Sequence, residues 1–235
     1  MNPYLFGDQF LTSYDFIGIL GYIILFLFLF FNKSRFYADA SLSAPSTKPA
    51  RWLAFVVLLT VHLVTYTFAG MRVGVWLGRA TEFFGYVGIS AVGMVLAAVT
   101  LGFSPLKWLD RTVPLYLLLA ATLKTSCFCA GCCYGLPWEH GLYNARMDQT
   151  QFPIQLVEMA AYAVLLCLLC RYRGRDGQRF ALFVAGYAAI RFGVQFFRGD
   201  RAVFSAFHWM SAVFAAIGVA MWVICALFWR KKEHT

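Results

Sequence analysis

Charge is what this sequence lacks. Only 13% of its 235 residues are Asp, Glu, Lys or Arg, against about 25% in a typical soluble domain. Acidic residues are scarcest, 11 against 20 basic ones. That deficit excludes an ordinary water-soluble globule. Also missing is a basic leader: MNPYLFGDQFLTSYD carries no Lys or Arg and two Asp, so no cleavable signal peptide is expected. No internal repeat stands out. The net charge of +9 does not indicate a nucleic-acid partner, because the basic residues sit between hydrophobic runs, where they act as topology signals.

What fills the chain is apolar: 61% hydrophobic and 18% aromatic residues, with a mean hydropathy of +0.67. The expected fold is an all-α integral membrane protein, a single transmembrane domain over 1–235. Seven helices are expected, about 15–31, 52–70, 82–103, 113–130, 153–170, 180–197 and 205–229. Each approaches the roughly 20 residues that a bilayer requires. Helices are demanded because backbone polar groups in lipid need partners within the segment. Residues 1–14 are too short to span and read as an interfacial helix. The stretch 137–152 reads as a loop. Thirteen Lys and Arg fall on one side of these spans, five on the other, and Lys124 and Arg191 are left inside. That asymmetry puts the N-terminus outside and the C-terminus in the cytoplasm.

The organising stretch is Lys124 to Gly135, KTSCFCAGCCYG. Lys124, Glu158 and Arg191 occupy three different spans. With the topology above, all three lie in the outer half of the membrane, with His62 on span two at a similar depth. Tyr86 enters span three from the same side. Gln155 and Gln195 stand one helical turn from Glu158 and Arg191. A charge at the bilayer centre costs roughly 2.5–3.5 kcal/mol on insertion scales, so these charges should meet each other or a wet cavity. One reading is a structural salt bridge. The other is a polar chamber for an anionic lipid head group, in which two cations against one carboxylate leave a positive charge for phosphate. His62 reads either as a packing residue or as a catalyst.

Cys127, Cys129, Cys132 and Cys133 allow three readings. The Cys129-x-x-Cys132 spacing is that of a metal ligand pair, but the other pair at that spacing, Cys167 and Cys170, lies in an apolar run, and no metal or cofactor is expected. A redox pair facing an oxidising exterior is the second reading. Small residues that allow close packing are the third. Cys167, Cys170 and Cys225 lie in apolar runs and read as small hydrophobes.

Three stretches together resemble the prolipoprotein diacylglyceryl transferase family, especially its cysteine-bearing paralogues. They are LKTSCFCAGCCYG (123–135), FPIQLVE (152–158) and GYAAIRFGVQFFR (186–198). FFGYVG (83–88) is similar to the family's His/Tyr-Gly-Gly stretch, and Tyr14 to its Ser-Tyr-Gly start. The resemblance runs over most of the chain in the same order. It implies seven spans with the N-terminus outside, and a bacterial inner-membrane location. It also implies transfer of the diacylglyceryl group of phosphatidylglycerol to a lipobox cysteine thiol, with release of glycerol phosphate. Phospholipid and a lipobox peptide, or another acceptor, would be the partners. Lys124, Arg191 and His62 become the catalytic candidates. Glu158, Gln155, Gln195, Tyr14, Tyr86, Cys127 and Gly135 become substrate-binding candidates. The sequence departs from the family pattern where Lys124 replaces arginine, Cys127 asparagine, Phe84 His or Tyr, Phe152 histidine and Gln195 glutamate. These departures leave room for a different acceptor, for a phospholipid-binding or transport protein, or for thiol-redox chemistry.

Overall fold

A computed structural model describes residues 82–100, 103–200 and 204–233, together with isolated helical positions 20, 21, 23, 27, 56 and 60. The expected first span and most of the second therefore lie outside the described residues, as do Tyr14 and His62. The described chain is mostly helical. Its helices are α1 (Glu82–Thr100), α2 (Pro105–Cys129), α3 (Ile154–Arg171), α4 (Gln178–Val194) and α5 (Ala206–Glu233). A short 3-10 turn, Gln195–Phe197, extends α4. Among the described residues, four segments are long and apolar enough to cross a membrane: Pro105–Cys129, Ile154–Arg171, Gln178–Phe197 and Ala206–Leu227. This is a multi-pass membrane protein.

Two expectations need correction. The fourth span does not begin near 113. The helix starts at Pro105, so Lys107, Asp110 and Arg111 are helical and not part of a loop. Proline suits a helix start because its missing N–H is unsatisfied there anyway, and the Ser104 carbonyl accepts the Trp108 N–H at 2.9 Å.

The second correction concerns 137–152, which is a β-hairpin. Strands β1 (Pro137–Asn144) and β2 (Gln149–Gln151) pair antiparallel, with Tyr143 opposite Thr150 and Asn144 opposite Gln149. Buried Asn144 locks the turn. Its amide donates to the Gln151 side chain at 2.9 Å and to the Gly131 carbonyl at 3.0 Å, and its oxygen accepts the Arg146 N–H.

The residues group into two compact units. One comprises 1–30, 114–172 and 183–216 and contains the hairpin. Inside it α3 and α4 approach closely, because a side chain at Gly186 would lie 2.7 Å from Leu165. Tyr162 and Tyr187 stack across the same contact, 5.2 Å between ring centres. The other unit comprises 31–113, 173–182 and 217–235. There Asp110 caps the start of α4, accepting the Gly177 N–H at 2.8 Å and the Phe180 N–H at 2.7 Å. These are two of the donors that a helix N-terminus leaves unpaired. Arg175 donates to the Ala226 carbonyl in the same unit.

Candidate functional site

Helix α2 carries Lys124 near its C-terminal end, α3 carries Glu158 in its second turn, and α4 carries Arg191 in its last turn. The three side chains meet. Glu158 is fully buried. Its Oε1 accepts from Arg191 Nη1, and Lys124 Nζ lies 2.5 Å from its Oε2. Both cations are nearly buried too, at 11% and 12% exposure. One carboxylate between two cations leaves a single formal positive charge. In a low-dielectric setting that charge attracts an anion strongly.

Helical periodicity surrounds the triad with further polar groups. Tyr162 and Tyr187 lie four residues from Glu158 and Arg191 on the same faces, and both are buried. Gln195, four residues beyond Arg191, is 1% exposed, and its Nε2 has no hydrogen-bond partner among the described residues. A buried donor left unpaired costs about 1–3 kcal/mol. Gln155 is also buried, but its amide is occupied, donating to the Cys132 carbonyl at 2.8 Å. Tyr86 falls on α1, and its side chain lies outside the described ones.

Sequence reasoning missed Arg198. It falls among the five basic residues on the outer side of the spans, yet its side chain is 1% exposed and forks onto Asp200. Nε donates to Oδ1 at 2.8 Å and Nη2 to Oδ2 at 2.6 Å. The signal was present: Arg198 closes the stretch GYAAIRFGVQFFR, and Asp200 follows two residues later.

The Arg198 backbone joins the three sequence stretches. Gly135 bridges Arg198. Leu136 N–H donates to Phe197, Gly199 N–H to Tyr134, and Phe152 N–H to Leu136. Gly135 is needed here, because a β-carbon would lie 2.3 Å from the Phe152 carbonyl oxygen. Gly135→Ala is expected to lower stability by roughly 1–3 kcal/mol, as overpacking against backbone does, read as an earlier thermal transition in detergent. Phe152 itself packs on Trp138 and Phe197, at 5.3 and 5.6 Å.

The cysteines are not arranged as the 129–132 spacing suggests. All are free thiols. Buried Cys127 and half-buried Cys132 and Cys133 bring their sulfurs within 4.8 Å of one another, and Cys129 is not in the group. Hydrogen bonding with the Cys127 and Cys132 thiols holds the Cys133 thiol below its usual range, and Lys124 and Arg198 add to the effect.

Comparison with known proteins gives a consistent picture. Residues 53–224 match the family described as prolipoprotein diacylglyceryl transferase. A phosphatidylglycerol–prolipoprotein diacylglyceryl transferase of Clostridium tetani is 28% identical over 135 residues, 53% of this chain and 54% of that protein. Proteins of the same name from two Dehalococcoides mccartyi strains are similar over more of the chain. One is 27% identical over 210 residues and the other 26% over 207, each match covering 82% of this chain and 79% of the relative. The match thus spans about half the length of the first relative and about four fifths of the others.

Proposed function

The chain belongs to the prolipoprotein diacylglyceryl transferase family, and from that premise we propose that it is a membrane transferase acting on a glycerophospholipid, with phosphatidylglycerol as donor. The observation that carries this reading is the buried Lys124–Glu158–Arg191 cluster, in which two cations share one carboxylate among the described residues. Arg191 grips the lipid phosphate and Lys124 adds a second cation. Both stabilise charge that builds on the departing glycerol phosphate. Glu158 holds the two cations apart and aims them. The Gln195 amide, without a partner among the described residues, supplies a further donor, and Gln155, through the Cys132 carbonyl, fixes the wall that carries Cys127 and Gly135. Tyr14 and Tyr86 complete the lipid contacts. The incoming thiol must lose its proton. His62 is the candidate acceptor; the second candidate is Lys124 in its neutral form, which then does not serve as the second cation. The whole chain is one transmembrane domain of seven spans in the bacterial inner membrane, N-terminus outside.

The test is reconstitution. Purified protein in liposomes is given labelled phosphatidylglycerol and a lipobox peptide, and the peptide mass is read. A gain of one diacylglyceryl unit, lost in Lys124→Met, is the expected result. Full transfer by Lys124→Met would overturn the role given to that residue.

A second reading keeps the phosphate grip and changes the acceptor. Phe152 favours it. This residue stands where the family has histidine and is committed to an aromatic cluster with Trp138 and Phe197. Lipid binding without any gain in peptide mass would select this reading.

A further inference from the structure

The turn that ends α2 is built at a cost. The helix stops at Cys129. The Cys132 N–H then folds back onto the Cys127 carbonyl at 3.0 Å. Gly131 and Cys133 both take left-handed backbone conformations, φ 66° and 55°. For Gly131 this costs little. For Cys133, which has a β-carbon, it costs about 1–2 kcal/mol. The turn is held by side chains from elsewhere: Asn144 donates to the Gly131 carbonyl and Gln155 to the Cys132 carbonyl. This strained, pinned turn brings three thiols within 4.8 Å of one another.

We propose that Cys127, Cys132 and Cys133 form a three-thiolate site for a thiophilic d10 cation, zinc(II) or copper(I). Such ions select sulfur donors. A zinc–sulfur bond of about 2.3 Å puts tetrahedral sulfurs about 3.8 Å apart, so side-chain rotation closing the thiols by up to about 1 Å completes the set. Binding releases the thiol protons. A disulfide would use two of the sulfurs and strand the third. Close packing alone gives no reason for a left-handed cysteine. Cys127 lies one helical turn beyond Lys124, and Gln155, which grips Cys132, lies one turn before Glu158. A bound ion therefore clamps the end of α2 to the turn that Gln155 of α3 holds, beside the charged cluster.

The test uses the full-length protein in detergent, fully reduced, titrated with cadmium alone. Thiolate-to-cadmium charge-transfer absorbance is expected to saturate at one ion per chain. Cys127→Ser, Cys132→Ser and Cys133→Ser should each weaken binding at least tenfold, whereas Cys129→Ser and Cys225→Ser should leave it unchanged. X-ray absorption on the zinc-loaded wild-type protein guards against variants that misfold, and should find three sulfurs at about 2.3 Å. No saturable binding by reduced, helical protein would overturn the site. So would a zinc shell without sulfur, or equal loss in Cys129→Ser.

Discussion

Glu158→Ala is expected to destabilise the protein by about 3–5 kcal/mol, the usual cost of breaking a buried ion pair. The carboxylate is fully buried and answers both Lys124 and Arg191, themselves nearly buried. Removing it leaves two cations side by side in an apolar helix bundle. Glu158→Gln keeps the shape and should lose nearly as much, since charge and not volume is at stake. The triple variant Lys124→Met, Glu158→Leu, Arg191→Met removes every charge. It should recover most of the stability, because apolar replacement of a whole buried ionic cluster is often neutral or better. Unfolding in graded denaturing detergent reads all three. A triple variant no more stable than Glu158→Ala would mean that the loss comes from packing, and the charge account would fail.

The second large effect is catalytic. Arg191→Ala should lower transfer in the liposome assay by roughly 10²–10³-fold, the cost of losing one preorganised donor to a developing anion. Arg191→Lys should recover only part of this, since a lysine cannot fork onto phosphate. Lys124 already lacks that fork, so Arg191 is the only bidentate cation of the triad. The loss should fall mainly on kcat, because the contact strengthens as the leaving phosphate charges up. A drop confined to KM would assign Arg191 to lipid binding alone.

Parts of this architecture could be read directly from the sequence. Helices α3 and α4 begin within two residues of the expected positions, since Pro153 and Gly177 punctuate their apolar runs. Lys124, Glu158 and Arg191 stood out because charges in apolar segments need partners, and the structure pairs them. Other features were hidden. The start of α2 carries Lys107, Asp110 and Arg111, so hydropathy alone trims it away. Strand β1 is exposed at nearly every position, so it shows none of the apolar alternation by which strands are recognised. The thiol trio could not be inferred from spacing, because it depends on Asn144 and Gln155 bending the turn at 131–133. Arg198 was misjudged because its partner Asp200 lies past the end of the apolar run.

The cap on α4 has a consequence for how the protein is made. The carboxylate that receives the Gly177 amide belongs to a residue 67 positions earlier. Chains emerge from the ribosome N-terminus first, so Asp110 is synthesised well before the helix end that it completes. Helix α4 therefore enters the membrane with its anchoring point already made, and docking of the later segment is templated by the earlier one.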